Sequence, residues 1–306
     1  MIGRPEPRPP PPPPPRPQAH NFTSLANAVM GNNPNDSIEE YQSGLAVSII
    51  NNQLWLLTPR FIYIHDFDTK LLRQLEMKTS KGKLGLNPTA CAQNRHATYV
   101  TFCRSRVNLR EQSLNGVWTV NPTTGTMKHK LENGEYVNVS CTADTAVALN
   151  ADLSKIFLCK KTGDQETDYT MTSFNLRSPC ANRSLLTDGN RIMLVSNGAI
   201  LTVYHSGAVV GWQELPKVDT SKLGSAPVWH LCGLDSRRQL LLCEQMSGGV
   251  YLRDSSDTYQ RVHCGEVNSE LECPVALLHD CYGSLWVHQH TIYGEMLVKF
   301  TIKRQT

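Results

Sequence analysis

The chain has 306 residues, 40% hydrophobic and 19% charged, enough to bury the core of one large all-β domain or of two ordinary domains. Thirty Lys and Arg against 27 Asp and Glu leave a net charge of +3, which excludes a uniformly basic nucleic-acid coat and makes any charge argument local. No run approaches the roughly 18 apolar residues of a membrane span, and Met1-Ile2-Gly3-Arg4-Pro5 lacks the apolar stretch of a signal peptide, so a cytoplasmic protein without membrane association is expected.

Residues 1–20 read as a proline-rich disordered tail, with seven consecutive prolines from Pro9 to Pro15. Proline lacks the amide donor and fixes φ, so the segment is expected as a polyproline II rod without a core of its own. Arg4, Pro7 and Pro10, and again Pro11, Pro14 and Arg16, fit a rod with a flanking cation that SH3-like or profilin-like domains would dock in an aromatic groove.

From about residue 44 short apolar runs alternate with Gly, Asn, Asp, Ser and Pro clusters, an all-β pattern. A polar turn followed by an apolar strand recurs at Asn52–Leu57, His96–Phe102, Ser154–Leu158, Gly189–Val195, Arg238–Leu242 and Gly283–Val287. Taking Leu54 and Leu285 as first and last anchors, the mean period is about 46 residues, that of propeller blades, with uneven individual spacings ascribed to loop insertions. Hairpins follow these strands, as at Phe61–Leu75 and Gly116–Lys128, and four strands per copy predict a six-bladed β-propeller over residues 21–306. The last copy stops at its third strand, so residues 21–43, and Ser24–Met30 in particular, are expected to supply a closing strand that covers the open edge. Trp55, Trp118, Trp212 and Trp286 are expected in the packing between blades, while Trp229 is the one candidate to face the central channel.

The copy from Asp188-Gly189-Asn190-Arg191 to Tyr204-His205-Ser206-Gly207 resembles the NHL repeat of six-bladed propellers, including the C-terminal domains of the tripartite-motif (TRIM-NHL) proteins, and Asp280–Val287 is a second match. The Asp and Asn-Arg-Ile that such repeats carry after the second strand are mostly absent. The resemblance implies a recognition module without the RING-borne ligase activity, since no cysteine-rich RING is present, and it implies single-stranded RNA as one ligand class.

The ten cysteines show no Cys-x-x-Cys and are read as reduced, buried thiols; no metal or other cofactor is expected. The Asn-x-Ser/Thr triplets at Asn21, Asn35, Asn138 and Asn182 are read as coincidental without an export signal. There is no Gly-x-Ser-x-Gly, phosphate-binding loop, dinucleotide fingerprint or His-Glu-x-x-His. Asp188, Asp235 and Asp280 precede apolar strands in turn-forming contexts, where calcium ligation, as in a propeller hydrolase, competes with plain turn chemistry. On these grounds the chain is read as not an enzyme.

Loops joining second to third strands, and fourth strands to the next blade, open at one end of a propeller. In the early blades this assigns Arg60, Lys78, Lys81, Lys83, Arg104, Arg106 and Arg110 to one basic face, extended by Lys160 and Lys161, whereas late loops carry Glu244, Glu266, Glu270 and Glu272. The function expected is a non-catalytic scaffold that binds protein partners through this face, an acidic one above all, and through the proline tail. The alternative is single-stranded RNA held by the same cations.

Overall fold

The computed structural model describes residues 18–21, 46–58, 60–68, 70–79, 82–83, 87–103, 115–163, 168–196, 198–218, 226–234, 239–244, 249–253, 256, 258–262, 274–279, 284–291 and 294–301. Strand β1 (Gln18–Asn21) precedes blade one, formed by β2 (Ala46–Ile50), β3 (Gln53–Leu57), β4 (Phe61–His65) and β5 (Leu71–Glu76). A two-stranded ribbon, β6 (Lys78–Thr79) and β7 (Gly82–Lys83), leads to blade two: β8 (Asn87–Gln93), β9 (Thr98–Cys103), β10 (Gly116–Val120) and β11 (Met127–Asn133). Blade three holds β12 (Tyr136–Cys141), β13 (Thr145–Asn150), β14 (Lys155–Lys161) and β15 (Tyr169–Asn175). Blade four holds β16 (Leu185–Asp188), β17 (Arg191–Ser196), β18 (Ala199–Tyr204) and β19 (Val209–Glu214). Blade five holds β20 (Trp229–Leu234), β21 (Leu240–Glu244), β22 (Gly249–Arg253) and β23 (Tyr259–Val262).

The chain is an all-β propeller in which five blades each use one unbroken stretch of sequence. The expected sixth differs. Its sheet is composite, with β24 (Pro274–His279), β25 (Ser284–Thr291) and β26 (Gly294–Thr301) joined by β1 in the order β1-β26-β25-β24. The pairing is antiparallel, Gln18 opposite Lys299 and Asn21 opposite Met296. A terminal strand therefore covers the last edge, but it comes from the end of the presumed tail and not from Ser24–Met30, which lies outside the described residues.

Second strands are buried on both sides and read as continuous apolar runs, as in Leu54-Trp55-Leu56-Leu57 and Leu240-Leu241-Leu242. Fourth strands such as β5 and β15 are largely exposed and mixed in polarity. The second strands begin at residues 53, 98, 145, 191, 240 and 284, steps of 44 to 49 residues. The uneven spacing expected from the sequence is thus an artefact: the run Ser154–Leu158 is the third strand of blade three, and the second is Thr145–Asn150. Tight turns follow residue chemistry; Asn51 and Asn52, both at positive φ (50° and 58°), close the two-residue hairpin from β2 to β3.

The core lies in layers between blades. One layer joins Trp55, Leu57 and Ile62 of blade one to Val100, Phe102 and Met127 of blade two. Another joins Leu54, Leu56 and Tyr63 of blade one to Trp286 of the composite sheet. Trp55 and Trp286 are buried as expected, and Trp118 is partly buried, but Trp212 on outer strand β19 is 57% exposed. Trp229 does not face a channel. It is buried between blades four and five with its ring 5.2 Å from that of Tyr251 in an edge-to-face arrangement.

Polar clasps reinforce these layers at one-blade separation. Ser48 Oγ donates to Cys91 O (2.6 Å) and Thr89 Oγ1 to Tyr136 O (2.7 Å). Asn138 Nδ2 donates to Arg183 O (2.7 Å), while Ser140 Oγ accepts from Thr187 N (3.2 Å). The same pair of bonds recurs one blade later, where Asn182 Nδ2 donates to Trp229 O and Ser184 Oγ accepts from Leu231 N. Two of the Asn-x-Ser triplets are therefore structural clasps.

Candidate functional site

Each blade has two ends. Turns from first to second and from third to fourth strand leave one end, and the remaining connections leave the other. Of the expected basic face, Arg60, Lys78, Lys83, Lys160 and Lys161 fall among the described residues. Arg60 Nε lies 4.0 Å from Glu76 Oε1, with its guanidinium 5.4 Å from the Phe61 ring centroid. Lys78 is exposed and bridges in parallel to Thr126, at the third-to-fourth turn of blade two. Lys83 pairs with Lys78 in backbone register; Lys81, Arg104, Arg106 and Arg110 lie outside the described residues, as do Arg4, Pro7, Pro10, Pro11, Pro14 and Arg16. Lys160 and Lys161 close β14, a third strand, so they sit at the opposite end of their blade from the one assumed; misreading one strand reverses the end because antiparallel neighbours run in opposite directions. Among the acidic residues, Glu244 is fully buried, with Oε1 accepting from Val228 N at 3.1 Å, and Glu266, Glu270 and Glu272 lie outside the described residues.

Cations do converge at the end to which Lys161 belongs. A cleft of about 520 Å³ between blades two and three is lined by Arg95, His96, Thr98, Lys128, Lys161 and Tyr169, with Gln93, Asn94 and Asn121 among its other walls. Three segments shape it. In the β8–β9 turn, Asn94 Oδ1 accepts from the amides of His96 and Ala97 (2.9 Å each), and its Nδ2 donates to the buried Tyr99 hydroxyl at 3.3 Å. Burial holds that phenol well above its ordinary pKa, so it remains neutral. In the β10–β11 turn, Asn121 Oδ1 accepts from Thr123 N (2.8 Å) and Thr124 N (3.2 Å), the same asparagine-led turn chemistry. Gly125 completes this turn at φ 71°, where a Cβ would come within 2.6 Å of Glu76 O. The third wall is formed by Lys161, Gly163 and Tyr169, with Thr162 N donating to Asp168 O at 2.9 Å.

Electrostatics set what the cleft can hold. Arg95 pairs with Asp144, whose Oδ1 is also 3.5 Å from His96 Nε2, and Arg95 Nε donates to His96 Nε2 at 3.0 Å. With side chains 65% and 39% exposed, such a pair contributes only about 0–1 kcal/mol and exchanges readily. Lys161 Nζ lies 4.8 Å from the ring centroid of Tyr169, a cation–π arrangement on the one Phe, Tyr or Trp ring in the lining. The site is polar, cationic and half open, suited to an anion more than to an apolar molecule.

A second polar group lies one blade on. Asp188 pairs with Arg191 at 2.7 Å across the β16–β17 turn, and Thr187 Oγ1 lies 3.4 Å from His205 Nε2. Burial, then the nearby Lys160 charge, lowers the His205 pKa. Among the described residues no group of three or more His, Cys, Asp or Glu is arranged to hold a metal ion.

No family model and no curated protein matches this sequence, and the NHL and TRIM resemblance finds no support there. Solved structures do match. Virginiamycin B lyase from Staphylococcus aureus aligns with a TM-score of 0.52 at 12% identity over 86% of both chains. A catalytically inactive form of that lyase with quinupristin aligns at 0.52 and 10% identity, over 88% of this chain and 98% of its own. An auxiliary nutrient binding protein from Bacteroides ovatus aligns at 0.56 and 12% identity, over 84% and 69%. The fold is a β-propeller.

At these identities the likeness reaches the fold alone. It nevertheless corrects the expectation that the chain is not an enzyme: propellers of this shape include a lyase, so the missing catalytic motifs are no argument against catalysis. Sequence reasoning missed the cleft because its cations come from Arg95, Lys128 and Lys161, on three separate segments of two blades, with no shared motif. The only local signal was Asn94-Arg95-His96, a turn that presents an arginine.

Proposed function

We propose that this propeller is a recognition scaffold that holds an acidic segment of a protein partner in the cleft between blades two and three. The observation that carries this reading is the convergence of Arg95, Lys128 and Lys161 on one polar cleft whose single Phe, Tyr or Trp ring, Tyr169, already carries a lysine. Acidic side chains gain charge-assisted hydrogen bonds there. Single-stranded RNA is disfavoured by the same observation, because sequence-tolerant RNA binding relies on aromatic platforms for base stacking, worth about 1–3 kcal/mol per base. The test is fluorescence anisotropy of a labelled glutamate-rich peptide and a labelled oligouridylate against the full chain. Peptide binding weakened by Lys128→Glu and Lys161→Glu supports the reading; RNA binding with no peptide binding, or peptide binding indifferent to both substitutions, overturns it.

A further inference from the structure

Resting on that reading, we infer that the cleft is a receptor for a phosphomonoester, carried on a serine or threonine of the acidic segment, and that Asp144 occupies Arg95 until the phosphate arrives. Arg95, Lys128 and Lys161 line the cleft, and Asp144, the carboxylate paired with Arg95, is outside the lining. A phosphoserine brings about 1.5 to 2 negative charges and three acceptor oxygens, against one charge for glutamate, and so matches an arginine and two lysines better. Arginine is suited to the work, since its planar fork bonds two phosphate oxygens at once. Arg95 is also easily released: its partner Asp144 is half exposed, and the residue's side chain projects from a turn whose backbone is held independently by Asn94. Binding is then an exchange of partners, in which the phosphate takes Arg95 from Asp144 while Lys128 and Lys161 close on its remaining oxygens.

The cleft's volume of about 520 Å³ suits a side chain with its flanking backbone, and the asparagine, glutamine and threonine walls offer amide and hydroxyl partners to a peptide. A lipid surface would instead want apolar groups beside the cations. No exposed large hydrophobic side chain of the described surface is among the residues that line the cleft.

The experiment is isothermal titration of the full chain with three otherwise identical acidic peptides, carrying phosphoserine, glutamate or serine at the centre, together with vesicles containing a phosphoinositide. Expected are phosphoserine affinity about tenfold or more above glutamate, a loss with Lys128→Ala or Lys161→Ala, and a gain with Asp144→Asn, which frees Arg95 without removing a cation. Circular dichroism confirms that each variant is folded. The gain separates a partner-exchange site from a merely structural ion pair, whose loss would leave affinity flat or lower. Equal affinity for phosphoserine and glutamate overturns this inference and leaves the acidic-segment reading standing; no binding of either peptide overturns both. Binding to the vesicles with none to the peptides replaces the proposal with a membrane.

Discussion

Trp286 should matter far more than Trp212, although both are strand tryptophans in similar apolar contexts. Trp286 is fully buried, packs against Val47, Leu54, Leu56 and Tyr63, and has its ring 5.6 Å from that of Phe67. It is thus a principal apolar link from the composite sheet to blade one. Truncation to alanine removes the burial of a large side chain, about 3–5 kcal/mol in packed cores, with about 0.5–1.5 kcal/mol of aromatic pairing that overlaps that figure. At about 2–4 °C per kcal/mol for large domains, the melting temperature should fall on the order of 10 °C. Trp212→Ala, on an outer strand and 57% exposed, should shift it by less than about 2 °C. Differential scanning calorimetry of both variants decides the matter, with Trp286→Phe as a milder substitution if alanine does not fold. Equal shifts for the two alanine variants would refute the packing of the composite sheet against blade one.

Deleting residues 1–17 should leave the melting temperature unchanged, whereas deleting 1–21 removes β1, exposes the edge of β26 and should lower it and promote association, read by calorimetry and light scattering. Asn182→Ala should destabilise by about 1–3 kcal/mol in urea unfolding, because it leaves Trp229 O without its clasp donor, while Arg183→Ala between the clasp residues should stay within about 0.5 kcal/mol. His205 has a folded-state pKa below its ordinary value, so the unfolded chain binds more protons just below the usual histidine range; stability should fall as pH drops through about 6.5 to the lowered pKa and be unaffected by this group above that range. Replacing it by asparagine should flatten that slope, and Lys160→Met should raise the imidazole titration seen by NMR. Burial pushes the Cys159 and Cys180 thiols up to about 12, so both should resist iodoacetamide in the native protein and react once it is unfolded.

The strand content and the blade period were legible because second strands buried on both sides leave continuous apolar runs such as Gln53–Leu57 and Leu240–Glu244. Blade three misled for a physical reason. Its third strand, with Ile156-Phe157-Leu158, is as buried as its second, Thr145–Asn150, whose alanines and threonine make a weaker apolar signal. That single slip carried Lys160 and Lys161 to the wrong end of the ring. The closing strand was misplaced because Gln18–Asn21 is a short, mostly polar segment with no apolar alternation to mark it. The clasps were visible as Asn138-Val139-Ser140 and Asn182-Arg183-Ser184, spaced 44 residues apart, but their meaning depends on a neighbour one blade away. The cleft was illegible for the same reason.

Hydrogen–deuterium exchange of the full chain, with and without the acidic phosphoserine peptide, tests the location of binding most directly. The account predicts slowed exchange in residues 93–98, 119–122, 161–163 and 169, which wall the cleft between blades two and three. Protection confined to the second-to-third turn of blade one, at Arg60 and Phe61, would contradict it and return binding to the opposite end of the blades.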